Sequence, residues 1–426
     1  MSAPPGPRLS RQLGLGAAVL LGLGSIIGTG VFVSIGIAAG ITGGSVVVAV
    51  VIAALLATCN GLSSAQLAAA YPVSGGTYEY GYQLLTPSLG FTAGWLFLLA
   101  KSASAATAAL GFAGYALNLF DIPAPPIVPV ALVAVVLITG VVLTGIRLSN
   151  LVNAVVVTIT LAGLTAFVVG GSVEMSLDRF RPFVAGDHAV AGLLEAAALM
   201  FVAYTGYGRI ATLGEEVRSP RSTIPRAIIV TLVVSMVLYG LVALVGVGNA
   251  GAPGLAGATD ATAAPLEVIA RRFRFSWVAP LVAVAAVTAM LGVLLNLLLG
   301  LSRVLLAMGR RADMPRPVTR LTATNTTPYL AVLVVGVVIA GLVLIGDVKT
   351  TWSFSAFTVL IYYAITNLAA LRLPGDMRLY PRWVTWLGLA GCLGLAFWVE
   401  PVVWAAGLGL IAAGLGWHAL ARKVAH

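Results

Sequence analysis

The stretch GLGSIIGTGVF, residues 22–32, decides how this chain folds. It holds four glycines within nine residues, and it lies in a run from Gln12 to Tyr78 that contains no charged residue. The run is long enough for two membrane-spanning helices, because one span needs about 20 apolar residues. Glycines clustered at mid-span make a poor continuous helix. The stretch therefore predicts a spanning helix that is interrupted near its centre.

The composition of the whole chain places most of it in lipid. Of its 426 residues, 60% are hydrophobic and only 9% are charged, whereas soluble domains carry about 25% charged residues. The net charge of +10 does not indicate a nucleic-acid partner, because the cations lie between apolar runs and form no single patch. The partners we expect are the lipid bilayer and a small molecule.

The apolar runs predict an all-α polytopic membrane protein with 12 transmembrane helices. The predicted spans are 14–39, 44–70, 89–119, 127–146, 149–171, 190–214, 224–248, 277–309, 328–346, 350–371, 382–398 and 401–420.

The distribution of cations predicts the orientation of the chain. Twelve spans put both termini on one side, and the segments on that side hold 15 arginines and lysines. The other side holds six, namely Arg179, Arg181, Arg271, Arg272, Arg274 and Lys349. Loops rich in lysine and arginine lie on the cytoplasmic side of a membrane. We therefore expect a multi-pass protein of the cytoplasmic (inner) membrane with both termini cytoplasmic.

A second stretch, FVAYTGYG at residues 201–208, also predicts a break at mid-span. Glycines at either stretch alone could serve only close helix packing. Interruptions at corresponding places in two halves of opposite topology, however, indicate a transporter built from an inverted repeat. The freed N–H groups of a broken helix suit a carboxylate, and the freed carbonyls suit an ammonium or a sodium ion.

Three stretches resemble motifs of the amino acid–polyamine–organocation (APC) superfamily of permeases. They are GSIIGTGVF at 24–32, YPVSGGTYEY at 71–80 and FVAYTGYGRIATLGEEVRSPRSTIPRAI at 201–228. The resemblance implies a five-plus-five inverted repeat of the leucine-transporter type with broken helices 1 and 6. It also implies alternating access and an amino acid or amine as substrate. The chain would then consist of a cytoplasmic tail (1–13), a transporter core (14–372) and peripheral helices 11 and 12 with the C-terminus (373–426).

The resemblance also implies where the substrate binds. Its α-carboxylate would meet N–H groups of helix 1, its α-amino group would meet carbonyls of both broken helices, and Phe201 would be an aromatic gate. The residues implied in this way are Ser25, Ile26, Gly28, Thr29, Gly30, Phe201, Ala203, Tyr204, Thr205 and Gly206. Asn296, a lone polar residue among leucines, either forms an interhelical hydrogen bond or lines the substrate pocket.

Three residues are candidates for coupling transport to an ion. Lys101 lies near mid-span, where a charge is costly; it is either a structural residue or a proton carrier. Glu195, in the outer half of helix 6, is a carboxylate within a span and a possible partner. Some proton-coupled relatives carry a lysine in helix 5 at the place of a sodium ion, but here Thr160 aligns with it. Proton coupling, sodium coupling through Thr160 and simple exchange therefore stay open.

Other classes of function fit the sequence less well. A membrane-embedded enzyme would need a deep constellation of catalytic side chains, and an ATP-driven pump would need a phosphate-binding motif; the chain shows neither. Cysteine and histidine spacing indicates no metal site, and we expect no cofactor apart from a coupling ion, H⁺ or Na⁺. A sensor or channel-like protein on the same scaffold is the alternative. The absence of an acid at the second break favours neutral over cationic amino acids, whereas the oligomeric state is not predicted.

Overall fold

The computed structural model describes residues 13–72, 75–122, 126–145, 150–185, 189–211, 217–322 and 327–425. Within these ranges the regular structure is helical, apart from one isolated parallel bridge between Leu13 and Val217. The α-helices are α1 (Leu15–Ile26), α2 (Ile35–Thr42), α3 (Val46–Ala70), α4 (Thr77–Leu84), α5 (Pro87–Leu119), α6 (Ile127–Leu143), α7 (Asn150–Ser172), α8 (Ala189–Tyr204), α9 (Gly208–Ala211), α10 (Pro220–Thr262), α11 (Pro265–Ala270), α12 (Val278–Arg310), α13 (Tyr329–Val343), α14 (Val348–Leu371), α15 (Arg382–Ala396) and α16 (Pro401–Ala425).

The helices are those of a polytopic membrane protein, as the sequence predicts. In the described part of the chain, eight helical segments are long and apolar enough to cross a bilayer. One of them, Gly30–Ala70, contains α2 and α3, which are separated by a 3₁₀ turn at Gly43–Ser45; Gly43 has a φ of 74°. Helices α1, α6 and α13 are apolar but shorter. Helices satisfy their own backbone hydrogen bonds, which a chain in lipid requires.

The predicted interruption of helix 1 is present. Helix α1 ends at Ile26, and Ile27 has extended backbone angles (φ −81°, ψ 104°). The chain then continues through a π-helical turn, Gly30–Ser34, into α2. The single predicted helix at 14–39 is therefore two helices that are separated at the glycine-rich stretch.

The predicted interruption of helix 6 is also present. Helix α8 ends at Tyr204, a 3₁₀ turn covers Thr205–Tyr207, and α9 follows for one turn. The last part of this predicted span, residues 212–214, lies outside the described residues.

Three helical features were not predicted. Helix α4 has the polar sequence TYEYGYQL, so hydropathy does not reveal it. The predicted span 224–248 is present and ends close to Gly251, whose non-helical angles (φ 70°, ψ 164°) divide α10 in two; the second helical stretch, which runs on to Thr262, was not predicted. Helix α11 has six residues and lies where a loop was expected. Short helices and helix bends at the membrane surface lack the apolar length on which span prediction depends.

Helix α5 occupies the centre of the molecule, where it packs against α12 and α14. Its middle third is rich in alanine and serine, and these residues are buried. Small side chains allow helices to approach closely in membranes. Because α5 is held in this way, the side chain of Lys101, near the middle of the helix, is fixed in the protein interior.

Candidate functional site

The two interruptions meet face to face. A Cβ atom on Gly30 would lie 2.5 Å from the Cβ of Ala203, and a Cβ on Gly206 would lie 2.2 Å from the carbonyl oxygen of Ser25. Real Cβ atoms do not approach other atoms so closely. Glycine at these two positions therefore permits the contact between the broken segments.

Two buried tyrosines hold the carbonyl groups at the breaks. The Tyr239 hydroxyl, from α10, lies 2.8 Å from the carbonyl oxygen of Ile26 and 3.3 Å from that of Ala203. The Tyr363 hydroxyl, from α14, donates to the carbonyl oxygen of Thr205 at 3.2 Å. Neither tyrosine is predicted from the sequence, because a lone tyrosine in an apolar helix carries no signal of its partner.

A cavity of about 690 Å³ lies beside the breaks, between α1, α5, α8, α12 and α14. Its lining reaches the exposed Arg310 and Arg311 at the end of α12, where the cavity opens. The predicted site residues in its lining are Ser25, Ile26, Thr29, Gly30, Lys101, Ala203, Thr205, Gly206 and Asn296.

Three residues predicted to contact substrate do not line this cavity. Gly28 packs against α12, since a Cβ there would lie 2.6 Å from Val293. Phe201 is fully buried and contacts the Tyr363 ring edge-on, with ring centroids 5.6 Å apart. Tyr204 is also fully buried and packs on another tyrosine ring. The gate role of Phe201 stays a prediction.

Two of the coupling candidates also lie away from the lining. The Thr160 hydroxyl donates to the Val156 carbonyl of its own helix at 2.7 Å. Glu195 is half-buried, and its charged neighbours are Lys349 and Glu400. Lys349 and Glu400 form an ion pair of 2.8 Å. Glu195 is thus grouped with these two residues, and no direct pair with Lys101 is present among the described residues.

Hydrogen-bond donors lie just after the first break. Residues Thr29 and Gly30 begin the helical segment after the break, and the first N–H groups of a helix have no intrahelical acceptor. The Thr29 hydroxyl is buried and has no hydrogen-bond partner within the described chain. This end of the cavity therefore offers several donors to an anionic group.

The ammonium of Lys101 lies at the second break. It donates to the Thr205 hydroxyl at 2.9 Å, and that hydroxyl donates in turn to the Val202 carbonyl at 2.8 Å. The side chain is only 9% exposed. Across the described ranges, no carboxylate lies within ion-pair distance of it.

Asn296 lies in the wall of the cavity on α12. It makes no hydrogen bond to any residue of the described ranges. The structure therefore gives the interhelical alternative no partner, and it leaves the side-chain amide available to the cavity.

Comparison with known proteins identifies the family. The sequence model of the amino acid permease family matches residues 17–423. The chain belongs to the amino acid permease family. It is a transmembrane amino acid transporter and not an enzyme.

Relatives of this permease are named as transporters. An "Uncharacterized transporter" of Mycobacterium tuberculosis is 41% identical over 429 residues, which cover 100% of this chain and 95% of the relative. A branched-chain amino acid permease of Bacillus subtilis is 29% identical, covering 76% of this chain and 72% of the relative. A methylthioribose transporter of the same species is 28% identical, covering 86% and 81%.

At the end of the permease opposite the cavity mouth, the Tyr115 hydroxyl joins three parts of the chain. It donates to the carbonyl oxygen of Phe32 at 2.8 Å and accepts from the Leu266 N–H of α11 at 3.2 Å. Glu267 of α11 pairs with Arg271 at 2.9 Å. Burial raises the pKa of the Glu267 carboxyl, and Arg271 opposes that shift. These contacts join α5, α11 and the segment that follows the first break.

The mouth of the cavity is framed by α4 and the end of α12. Tyr78 and Tyr82 both donate to the Asp313 carboxylate, at 2.7 and 2.6 Å. Burial, and next the hydrogen bond to Asp313, raise the pKa of each phenol. Both phenols therefore stay protonated and keep donating. Beside them, Arg311 pairs with Glu79 at 2.5 Å. An ion pair and two hydrogen bonds to a carboxylate therefore join α4 to the segment that follows α12.

Proposed function

We propose that this permease is a secondary active transporter, which moves amino acids or related amines across the cytoplasmic membrane by alternating access. The observation that carries the proposal is the contact between two interrupted helices beside one cavity. Breaks in spanning helices are tolerated only where the freed backbone is buried in protein or lines a cavity. Here the freed groups at Ile26, Thr29 and Thr205 line it.

All twelve predicted spans belong to this proposal, with helices 1–10 as a five-plus-five inverted repeat. Helices α1 and α2 together make the first span, and α8 with α9 contributes to the sixth. The turn at Gly43–Ser45 supports counting the long segment Gly30–Ala70 as parts of two spans. The proposed division keeps 1–13 as a tail, 14–372 as the core and 373–426 as the peripheral part.

The orientation is proposed from the cation asymmetry, with both termini in the cytoplasm. The cavity mouth lies near α4 and the end of α12, on the side that this orientation makes cytoplasmic. The described conformation is then open to the cytoplasm and closed at Tyr115. Alternating access would require the Tyr115 contacts to open when the mouth closes.

The substrate would lie between the two breaks. Its α-carboxylate would accept hydrogen bonds from the N–H groups of Thr29 and Gly30 and from the Thr29 hydroxyl. Its α-amino group would donate to the carbonyls at Ile26 and Ala203. A helix N-terminus favours an anion, and carbonyls favour an ammonium, so the two ends of an amino acid are distinguished.

Coupling to a proton gradient or to exchange of a second substrate is also proposed. Lys101 is the coupling candidate that the geometry favours, because it is the one of the three that lines the cavity. Thr160, with a hydroxyl bonded in its own helix, stays the predicted ligand of a sodium ion. Glu195, in the outer half of predicted helix 6, stays a predicted coupling residue.

Uptake into liposomes tests the proposal. The purified permease is reconstituted, and uptake of a panel of labelled amino acids and amines is measured with a proton gradient, a sodium gradient or an internal counter-substrate. We expect saturable uptake of one substrate class and stimulation by one of these three conditions. The control is Gly206→Ala, which should abolish uptake because its methyl group would collide with Ser25.

Other outcomes would point elsewhere. Flux that does not saturate, and that shows no countertransport, would indicate a channel. Substrate binding without flux, in a protein shown to be folded, would indicate a sensor and would contradict the proposed transport.

A further inference from the structure

The charges that line the cavity are almost all positive. The described lining contains Lys101 and four arginines, Arg209, Arg303, Arg310 and Arg311. It contains one carboxylate, Glu79, which lies at the mouth and is paired with Arg311. An amino acid with a cationic side chain would therefore meet the Lys101 ammonium, and no described carboxylate, beside the breaks.

We propose that this permease selects amino acids with a carboxylate side chain, and that Lys101 is the residue that recognises this carboxylate. The inference rests on the proposed function. Its geometric basis is the Lys101 ammonium, which faces the cavity and has a hydroxyl, that of Thr205, as its hydrogen-bond acceptor. An ammonium has three donors, so two remain for the substrate.

The rest of the site leaves this role to Lys101. The α-carboxylate and α-amino group of a substrate are matched by the backbone at the two breaks. The α-carboxylate and α-amino group are common to all amino acids. The protein backbone that binds them therefore cannot distinguish one substrate side chain from another. Lys101 lies on a different helix, α5, and adds a side-chain charge to the site. A charge in a low-dielectric site favours a substrate of opposite sign and rejects one of like sign.

This role differs in its consequences from proton coupling. A lysine that only carries a coupling proton is needed for every substrate under a gradient. A lysine that binds the side-chain carboxylate is needed for aspartate and glutamate but not for asparagine and glutamine, which have almost the same shape. The acidic amino acids and their amides therefore separate the two roles.

The test is counterflow exchange in liposomes, which requires no ion gradient. Exchange of aspartate, glutamate, asparagine and glutamine is measured for the wild type, Lys101→Met, Lys101→Arg and the control Lys349→Met. Lys349 is a lysine outside the cavity that pairs with Glu400. Competition by each amino acid in the wild type provides a second measurement that does not depend on a variant's folding.

We expect the wild type to prefer each acid over its amide. Lys101→Met should lower that preference roughly ten- to a hundredfold, the range for a hydrogen bond to a charged group. Lys101→Arg should keep part of the preference, and Lys349→Met should keep all of it.

Three results would overturn the inference. In the first, neutral amino acids exchange and acidic amino acids do not compete with them. The inference then fails, whereas the proposed transport function stands. In the second, Lys101→Met lowers acids and amides equally, which assigns Lys101 to coupling or structure. In the third, no amino acid exchanges in a folded protein, and the proposed function fails as well.

Discussion

The Tyr239 hydroxyl lies 2.8 Å from the carbonyl oxygen of Ile26, the last residue of α1 before the chain leaves helical geometry. The same hydroxyl is 3.3 Å from the carbonyl oxygen of Ala203. A single donor from α10 thus reaches both interrupted helices. It occupies one lone pair of the Ile26 carbonyl and leaves the other lone pair available to a substrate amine.

Removing this hydroxyl with Tyr239→Phe should weaken substrate binding and change the shape of the cavity little. We expect the KM for uptake to rise by up to about tenfold, because the carbonyls proposed to receive the substrate amine lose the hydrogen bond that positions them, and such a bond contributes about 0.5–1.5 kcal/mol. The control is Ser235→Ala, one turn earlier on α10, whose hydroxyl bonds only to the Thr231 carbonyl of its own helix. Equal effects from both substitutions would contradict a specific role for Tyr239.

The close approach of the breaks makes a second prediction. Gly206→Ala would place a methyl group 2.2 Å from the Ser25 carbonyl oxygen, which is backbone and cannot turn away. We expect uptake to fall below detection while the protein still inserts in the membrane. Gly300→Ala is the matched control, because Gly300 also lines the cavity and a Cβ there meets nothing within 4 Å. Normal uptake by Gly206→Ala would show that the breaks can separate without loss of function.

The apolar pattern of the sequence was sufficient to place the long helices and both interruptions. Hydropathy predicts spans because lipid requires long apolar helices, and glycine clusters predict breaks because they weaken a helix locally. The same pattern missed α4, whose polar sequence TYEYGYQL resembles that of any surface segment. Its helix is held by contacts with Asp313, which is more than 200 residues away in sequence.

In the candidate site, the sequence predicted the backbone at the breaks but not the side chains that contact it. The backbone at Ile26, Thr29 and Thr205 was identified from the motifs, and it lines the cavity. The tyrosines that hold this backbone, Tyr239 and Tyr363, were missed, because their partners are set by how distant helices pack. The Thr205 hydroxyl as the acceptor for Lys101 likewise follows from packing and not from spacing along the chain.

The Tyr115 contacts, at the end that is proposed to be closed, give a third prediction. Tyr115→Phe removes the bonds to the Phe32 carbonyl and the Leu266 N–H, and so should favour opening at that end. Access is measured with Gly300→Cys, labelled by a membrane-impermeant maleimide from the cavity mouth, after both native cysteines are replaced by serine. We expect labelling to slow several-fold, because fewer molecules then have an open mouth. The control is Tyr329→Phe, whose hydroxyl has no hydrogen-bond partner in the described chain. Unchanged labelling would show that Tyr115 does not hold this end closed.

The mouth of the cavity gives the last prediction, at Asp313. Its carboxylate accepts from two phenols, and the His418 Nδ1 atom of α16 lies 3.2 Å from it. Asp313→Asn replaces an acceptor-only group with one that also presents two N–H donors to these partners. We expect a loss of about 1.5–3 kcal/mol in stability, the range for hydrogen bonds to charged groups, and a melting temperature lower by several degrees in detergent. Asp376→Asn, at an exposed position, should leave the melting temperature unchanged. If both variants have the same melting temperature as the wild type, α4 is held by the Arg311–Glu79 pair instead. Glu79→Gln is then the substitution that should lower the melting temperature.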